Sequence, residues 1–200
     1  MNPSLSLFAT SAEPSLVGIA RLAAQADSLR EGHEVEYFTL TAKSLLNRCV
    51  SQRKMPFTWT INPYRGCEFA CRYCYARYTH EFMEMRDGRE FEQKIYVKQH
   101  TAGLLRRELK KVKSGESISL GTATDPYQPA ERRYEVTRSI VEEFARHRGF
   151  ELSIVTKSNL ILRDLDLLLE IARHNLLSIH ITITTLNTDL AHSRAARPAS

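Results

Sequence analysis

The sequence predicts an α/β fold built around a parallel β-sheet. From residue 57 onward, four apolar strand patterns are separated by helical patterns of a dozen or more residues, and this alternation is typical of right-handed β-α-β units. The last strand pattern, residues 177–184, alternates apolar and polar residues, whereas parallel strands covered on both faces are usually apolar throughout. One face of the sheet is therefore expected to line a polar crevice or barrel interior, with functional residues at the carboxyl ends of the strands.

The first quarter of the chain shows no such alternation. Residues 1–14 carry Ser, Pro and Asn without periodicity, and residues 15–30 place apolar side chains at helical spacing. Residues 35–40 form a short strand pattern. We expect residues 1–55 to be an N-terminal extension that caps the core, and residues 56–200 to be the core itself.

The core elements follow from apolar periodicity and from the residues that interrupt it. Pro63 ends the first strand, and Gly115 and Gly149 stand where a helix gives way to the next strand. The predicted strands are residues 57–62, 117–121, 152–155 and 177–184, and the predicted helices are residues 98–113, 131–148 and a stretch that begins at residue 164.

The end of the chain bears on the expected size of the sheet. No helical pattern follows the fourth strand, and the sequence stops at residue 200. A parallel barrel left open at this point exposes a strand edge and part of its core. We therefore expect that later units of the barrel are absent from these residues, or that something else covers the edge.

Composition and charge narrow the class of protein. The 200 residues are 42% hydrophobic and 26% charged, which is typical of a globular domain with its own core. The net charge of +5 permits an anionic partner, and the basic side chains of residues 98–113 are a candidate nucleic-acid contact, although such a run is usually a solvated helix face. Because the N-terminus lacks a basic region and Arg21 interrupts the apolar residues 16–24, we expect no signal peptide, no membrane span and a cytoplasmic location.

Three of the four cysteines lie within eight residues, as Cys67, Cys71 and Cys74 in the spacing C-x3-C-x2-C. Such a group is a poor disulfide framework and agrees with a reducing compartment, in which thiols serve metals or catalysis. Three thiolates without a fourth suit an iron–sulfur cluster that keeps one iron open for chemistry. The remaining cysteine, Cys49, is interpreted as a small buried apolar residue or as a distant fourth ligand.

The cysteine loop also fits two other kinds of site. His80 is close enough in sequence to complete a zinc site of three thiolates and one imidazole, although zinc sites typically pair cysteines from two separate loops. An ordinary loop without metal is the third interpretation. The residues alone leave all three open.

The residues around the cysteines carry a resemblance to a known family. The loop from Cys67 to Cys74, with the aromatic Tyr73 before the last cysteine, resembles the signature loop of the radical S-adenosylmethionine (SAM) superfamily. The wider run, residues 59–67 together with residues 71–77, resembles the spore-photoproduct-lyase-like branch, a DNA repair photolyase type. The likeness extends over residues 56–200 and is most specific in the loop.

The resemblance implies a partial TIM-type (β/α)6 barrel, truncated after about four β/α units in these 200 residues. It implies a [4Fe–4S] cluster held by Cys67, Cys71 and Cys74, whose open iron binds the amino and carboxylate groups of SAM. It also implies one-electron cleavage of SAM to a 5′-deoxyadenosyl radical, with a reductant protein of the flavodoxin or ferredoxin type. The protein itself then supplies orientation and excludes competing reactions.

Further positions are carried over from the family by their place in the fold. The resemblance implies that Thr124 and Asp125, after the second strand, contact the SAM amino group. It implies that Lys157, after the third strand, pairs with the SAM carboxylate, for which a lysine ammonium suits as a point charge. Asp125 with Pro126, and Lys157 with Ser158, also fit ordinary turns.

Three more positions follow from the resemblance, and one segment departs from it. Thr182 and Thr184 are implied contacts of the ribose or methionine end of SAM, and Tyr75 is the implied catalytic residue beside SAM. In the lyase, a hydrogen-donating cysteine stands at the start of the segment that here is residues 122–125, Thr-Ala-Thr-Asp. Threonine cannot replace a thiol in that step, so we do not expect spore photoproduct lyase activity itself.

The expected function is that of a radical SAM enzyme without an assigned substrate, with a nucleic-acid lesion as one candidate. A zinc-binding or nucleic-acid-binding module without catalysis is the alternative from a different class. An iron–sulfur protein that senses redox state or transfers electrons is the third. Substrate specificity on such scaffolds resides in variable loops and not in the shared fold.

Overall fold

Two β-sheets organise the part of the chain that the computed structural model describes, which comprises residues 18–19, 21, 28–31, 35–50, 55–83 and 87–187. The smaller sheet has the order β1 (Ser28–Glu31), β2 (Glu36–Leu40), β6 (Lys94–Lys98) and β5 (Tyr64–Arg65). The larger sheet has the order β3 (Leu46–Arg48), β4 (Trp59–Ile61), β7 (Ser117–Leu120), β8 (Glu151–Thr156) and β9 (Leu176–Ile181).

Helices connect the strands of the larger sheet. In chain order the described helices are α1 (Glu90–Gln93), α2 (Thr101–Glu108), α3 (Glu131–Tyr134), α4 (Val136–Ala145) and α5 (Leu165–His174), and 3₁₀ segments span Tyr75–Met83, Leu109–Lys111 and Asn159–Asp164. None of the helices in the described ranges has the length and apolar character needed to cross a bilayer.

The strands β4, β7, β8 and β9 run parallel, which confirms the predicted α/β class. Their register places Ile61 opposite Leu120, and Leu120 opposite Ile154. Because parallel strands end at the same edge of a sheet, the residues that follow each of them lie side by side. The cysteine loop and the segments that begin at Gly121 and Lys157 all leave the sheet at this edge.

A single large apolar cluster joins the parallel strands to the helices. Ile118 and Leu120 of β7 and Ile154 of β8 are fully buried, because helices cover the sheet that these strands form. The helices contribute the fully buried side chains Leu105, Ile140, Val141, Phe144 and Ile171, which recur at the spacing of one helix face.

The N-terminal predictions are confirmed in one place and wrong in another. The strand predicted for residues 35–40 is β2. The helix predicted for residues 15–30 is wrong at its end, because Ser28–Glu31 forms β1 and pairs antiparallel with β2. Gly18, Ile19 and Arg21 are helical as predicted, and the rest of that segment before residue 28 lies, with residues 1–14, outside the described residues.

The strand β6 was not predicted. Its presence shows that the helix expected from residue 98 begins later in the chain. Lys94–Lys98 pairs parallel with β2 and antiparallel with β5, and α2 begins only at Thr101. The helix predicted for residues 131–148 is divided at Glu135, whose left-handed conformation (φ 48°) separates α3 from α4.

The last predicted strand is β9, which is exposed on both faces. β9 lies at the end of the sheet order and pairs with β8, and its Ile179 and Ile181 are 42% and 51% exposed. His180, on the opposite face, is exposed as well. The alternation therefore does not separate a buried face from a wet one, and residues 188–200 lie outside the described part.

The boundary predicted near residue 55 stays a prediction. Strands from both sides of it share sheets, because β2 pairs with β6 and β3 pairs with β4. The segments before and after residue 55 are thus joined by main-chain hydrogen bonds in the folded chain.

Replacing Lys98 with methionine is expected to stabilise the protein. Lys98 is only 3% exposed, and burial together with the positive charge of Arg65 lowers its pKa from 10.5 to about 7. Between these two pH values the unfolded chain binds a proton that the folded chain does not, so the stability contributed by this group rises with pH. We expect Lys98→Met to raise the free energy of unfolding by about 1 kcal/mol or more at pH 7.

The pH dependence tests the cause of this gain. Urea unfolding of both proteins at several pH values should show the largest advantage of Lys98→Met at or below pH 7, and a smaller one toward pH 10. An advantage that grows with pH would contradict the assignment.

Candidate cofactor site at the strand ends

One cavity of about 190 Å³ collects most of the residues predicted from the sequence. Its walls are the cysteine loop, the segment after β7, the start of the segment after β8, and the residue that follows β9. All predicted site residues except Thr184 line it. The topology produces this gathering, because the three loops and the end of β9 lie at the carboxyl edge of parallel strands.

The start of the cysteine loop has a backbone that few residues tolerate. Gly66 has a φ of +78°, and a Cβ atom there would collide with the backbone oxygens of Lys94 and Phe91. Cys67 donates its backbone N–H to the oxygen of Phe91 at 2.8 Å. Ala70, between the first two cysteines, is left-handed with a φ of 49°. The chain therefore reverses sharply between Cys67 and Cys71, which brings both toward the same cavity.

A buried glutamine holds this loop by hydrogen bonds to its backbone. Gln128 is fully buried, accepts the N–H of Glu68 at 3.0 Å, and donates to the carbonyl oxygen of Gly66 at 3.2 Å. The Glu68 carboxylate accepts from the Ala130 N–H at 2.6 Å and from the Tyr37 hydroxyl at 2.7 Å. We refer to these contacts of Gln128 and Glu68 as the loop clamp.

Arg77 holds the other side of the loop. Its guanidinium donates to the carbonyl oxygen of Cys71 at 3.0 Å and to that of Ala70 at 3.4 Å, and it forms an ion pair with Glu92. The carbonyls of the loop are thus turned outward to the arginine. The cysteine side chains are left on the cavity side.

The three thiols differ in burial. Cys67 is 8% exposed, and burial raises its pKa to about 12, whereas Cys71 and Cys74 are half-buried. Burial also raises the pKa of Cys74. A cysteine must lose its proton to bind a metal, so a metal at Cys67 would have to displace a proton that burial otherwise retains.

The number of thiols at the cavity matches the number of ligands that a cluster with one open iron takes. Within the described residues, no three His, Cys, Asp or Glu side chains converge closely enough to hold one metal ion. In a cuboidal iron–sulfur cluster each cysteine binds a different iron, so its ligands surround the cluster instead of meeting at a point. Three thiols around one cavity match that requirement.

Two other predicted metal ligands are placed as follows. His80 belongs to the 3₁₀ segment Tyr75–Met83, but its side chain lies outside what the structure describes. Cys49 follows β3, donates its N–H to the oxygen of Thr58, and does not line the cavity.

Lys157 brings a positive charge to the cavity. Its ammonium nitrogen lies 3.0 Å from Cys71 Sγ and 4.4 Å from the centroid of the Phe69 ring. Its backbone N–H donates to Asp125 Oδ2 at 2.8 Å. Both ends of the lysine are therefore held, one by the cysteine loop and one by the segment after β7.

Asp125 joins the segments that follow β7 and β8. Besides the Lys157 N–H, its carboxylate accepts from the Thr156 hydroxyl at 2.6 Å and from the Tyr127 N–H at 2.9 Å. Burial raises the pKa of Asp125, and these donors act in the opposite direction. The carboxylate thus has a structural task at the rim in addition to the predicted cofactor contact.

The threonines and Tyr75 take different positions. Thr124 is buried, and its hydroxyl donates to the backbone carbonyl oxygen of Tyr64 at 3.4 Å. Tyr75 is 72% exposed, and its hydroxyl donates to the backbone carbonyl oxygen of Thr122 at the rim of the cavity. Thr182 donates its N–H to the Thr156 oxygen at 2.9 Å.

Thr184 is the predicted site residue that does not line the cavity. Burial raises the pKa of the phenol of Tyr73, the aromatic residue before the last cysteine, and the neighbouring Thr184 side chain acts in the opposite direction. Thr184 therefore reaches the site through Tyr73.

A buried charge network beneath the site was not predicted. Glu131 is fully buried and accepts from Tyr64 Oη at 2.5 Å and from Arg163 Nη2 at 2.8 Å. It also accepts from the N–H groups of Thr137 and Arg138 in the first turn of α4. Tyr64 precedes the cysteine loop and Arg163 follows Lys157, so Glu131 connects the loops that leave three neighbouring strands.

Gly121 gives a prediction about how closely these loops approach. Its φ is +94°, and an added Cβ would lie 2.6 Å from the Val155 oxygen and 2.5 Å from Pro126 Cδ. Gly115 has a similar φ of +81° with open space around it. We expect Gly115→Ala to cost about 1–2 kcal/mol from backbone strain. Gly121→Ala should cost a further 1–3 kcal/mol, roughly, because atoms must also move apart.

Urea unfolding of the two glycine variants separates these terms, since only Gly121→Ala combines strain with a collision. Equal losses of unfolding free energy in the two variants would show that the loops around Gly121 can move apart at no measurable cost.

Sequence comparisons place these residues among known proteins. Residues 61–200 match the family model described as Radical SAM superfamily. The chain is 39% identical over 157 residues to an uncharacterized protein, Rv2578c, of Mycobacterium tuberculosis, and 33% identical over 135 residues to an uncharacterized protein, MJ0683, of Methanocaldococcus jannaschii. These alignments cover 78% and 67% of this chain, but 46% and 47% of the relatives. The chain therefore spans about half the length of the curated relatives that it matches.

The fold is similar to that of solved enzymes. Spore photoproduct lyase complexed with dinucleoside spore photoproduct matches with a TM-score of 0.54 at 14% identity, over 76% of this chain and 44% of that one. A mutant of that lyase with bound AdoMet and dinucleoside spore photoproduct gives the same values. At this level of identity the likeness concerns the fold, and it confirms the partial barrel predicted from the sequence.

Proposed function

This chain belongs to the radical SAM superfamily, and on that premise we propose that it binds a [4Fe–4S] cluster and SAM and cleaves SAM reductively. The observation that carries the proposal is the shared cavity, in which three cysteines face Lys157 and the segment after β7. When bound, a cluster with an open iron supplies the electron that cleaves SAM to a 5′-deoxyadenosyl radical.

The residues of the chain have binding and orienting roles in this proposal. Cys67, Cys71 and Cys74 are the proposed cluster ligands, in the loop that the loop clamp and Arg77 hold in shape. Lys157 is the proposed partner of the SAM carboxylate, because its ammonium lies in the cavity beside Cys71. Asp125 holds the backbone of Lys157 and is, with Thr124, a proposed contact of the SAM amino group.

The remaining site residues lie toward the open side. Thr182 and Thr184 are proposed contacts of the ribose or methionine end, Thr184 by way of Tyr73. Tyr75 is the proposed catalytic residue, since its exposed ring stands at the rim of the cavity. Apolar side chains of Phe69 and Val155 complete the wall and limit the access of water to reacting groups.

The substrate class is proposed only in outline. A nucleic-acid lesion is a candidate because the solved lyase of similar fold holds a dinucleoside photoproduct. The basic side chains of α2 are not part of that idea, because none of them lines the cavity and Arg106 is paired with Glu143 at 2.8 Å. Lys110, Lys111 and Lys113 precede the amino end of β7, whereas the cavity lies at its carboxyl end.

Other properties of the whole protein are proposed from family membership. We infer a reductant of the flavodoxin or ferredoxin type as electron donor, and a cytoplasmic location where thiols stay reduced. Residues 56–200 are the proposed barrel core and residues 1–55 its extension. Lyase activity on spore photoproduct is not part of the proposal, because Thr122 stands where that enzyme has its cysteine.

Anaerobic reconstitution with iron and sulfide, followed by addition of dithionite and SAM, tests the proposal. We expect a brown protein with close to four irons and four sulfides per chain, which is the content of one [4Fe–4S] cluster, and formation of 5′-deoxyadenosine. A colourless protein that retains one zinc would favour the zinc-binding module. A brown protein that binds the cluster but leaves SAM intact would favour redox sensing or electron transfer.

A further inference from the structure

The cysteine loop contacts the Lys157 ammonium twice. Cys71 Sγ lies 3.0 Å from Lys157 Nζ, and the Phe69 ring centroid lies 4.4 Å from the same atom. The ring is therefore well within the distance at which the negative face of an aromatic attracts a cation. Phe69 lies between the first two cysteines, so the loop that would bind iron also holds the lysine.

The position of the ring is itself fixed. Phe69 is half-buried and packs against the apolar group of Cys67, Ala76 and Phe91. The loop clamp holds the preceding residue, Glu68, through its N–H and its carboxylate. The ring face presented to Lys157 is thus set by the packed loop.

A lysine side chain that is free to rotate has many conformers, and ordering it on binding a ligand costs free energy. Here the backbone of Lys157 is bound to Asp125 and its ammonium rests on the Phe69 ring. The protein itself therefore holds the Lys157 side chain at both of its ends.

We propose that Phe69 is a positioning residue that holds the Lys157 ammonium where a ligand carboxylate enters the cavity. This inference rests on the proposed function, in which that ligand is SAM. Phe69 acts through Lys157 and need not touch the cofactor. Its contribution should therefore appear only with ligands that carry the carboxylate.

The test measures the affinity of the iron-reconstituted protein for SAM and for decarboxylated SAM by equilibrium dialysis. Phe69→Leu keeps an apolar side chain but removes the aromatic face, and we expect it to weaken SAM binding about three- to tenfold. The affinity for decarboxylated SAM should stay unchanged. Phe69→Tyr restores an aromatic face and should bind SAM like the parent protein.

Two further measurements separate positioning from a general effect on the loop. Iron content per chain should be the same in Phe69→Leu, Phe69→Tyr and the parent. In a Lys157→Gln background, the substitution Phe69→Leu should no longer change SAM affinity, because the cation is gone.

The outcomes have distinct meanings. Equal weakening of SAM and decarboxylated SAM by Phe69→Leu, or no weakening of either, would overturn the role of Phe69 and leave the proposed function standing. A parent protein that carries its cluster yet binds neither ligand would refute the proposed function, and this inference with it.

Discussion

The substitution Cys71→Ala is expected to abolish iron loading and, with it, the formation of 5′-deoxyadenosine. Cys71 is one of three thiols that line the cavity, and its sulfur lies 3.0 Å from the Lys157 ammonium nitrogen. Even residues that merely support a metal ligand typically contribute about 10- to 100-fold to metal affinity or activity. Loss of the ligand itself should lower bound iron and product by at least about 100-fold. Iron and sulfide analysis after anaerobic reconstitution, with chromatographic detection of 5′-deoxyadenosine, measures both.

The chain offers a matched control for this experiment. Cys49 is also a free thiol, but it follows β3 and does not line the cavity. Cys49→Ala should therefore keep the full iron content. Iron content that survives Cys71→Ala but falls in Cys49→Ala would place the metal elsewhere and refute the proposed site.

The substitution Glu131→Ala is expected to destabilise the fold by about 3–5 kcal/mol, the usual loss when one partner of a buried ion pair is removed. Without the carboxylate, the Arg163 guanidinium and the Tyr64 hydroxyl each lose a hydrogen-bond acceptor. The first turn of α4 loses the acceptor of two of its N–H groups as well. Urea unfolding gives the free energy difference. Domains are typically stable by only about 5–15 kcal/mol, so the variant should unfold at much lower urea.

Glu142→Ala is the matched control for Glu131→Ala. Glu142 lies on α4, its side chain is 38% exposed, and it forms an i,i+4 ion pair with Arg138 at 3.4 Å. Exposed pairs of this kind contribute only about 0.3–0.5 kcal/mol. Comparable losses in the two variants would contradict the central role assigned to Glu131.

The parallel strands could be predicted because their apolar runs stand between clear interruptions. Gly115 and Gly149 precede β7 and β8, and the helices between the strands show apolar residues at helical spacing. The strand β6 gave no such signal. Its apolar run is only three residues long, is flanked by Lys94 and Lys98, and merges into a helical pattern. Its neighbours β2 and β5 decide that it is a strand, and pairing across more than 30 residues is not visible in local periodicity.

The site divides in the same way. The spacing of the three cysteines, Cys67, Cys71 and Cys74, was enough to predict a metal site. Asp125 and Lys157 could be placed because they follow strands that apolar periodicity predicts. The roles of Gln128 and Glu131 could not be predicted, since the loops that they connect lie about 30 to more than 60 positions away and their residue types are ordinary in loops and helices. The exposed edge at β9 was predicted, because no helical pattern follows that strand, whereas the exposure of both of its faces was not.

The loop clamp has a consequence for how the cluster would be acquired. A flexible loop that becomes ordered only around iron loses conformational freedom at the moment of binding, at roughly 1–2 kcal/mol for each residue fixed. Here Gln128, Glu68 and Arg77 hold the loop by hydrogen bonds within the polypeptide, none of which uses a cysteine thiol. Folding of the polypeptide would therefore bear part of this ordering entropy, which would leave less of it to be lost when iron and sulfide bind.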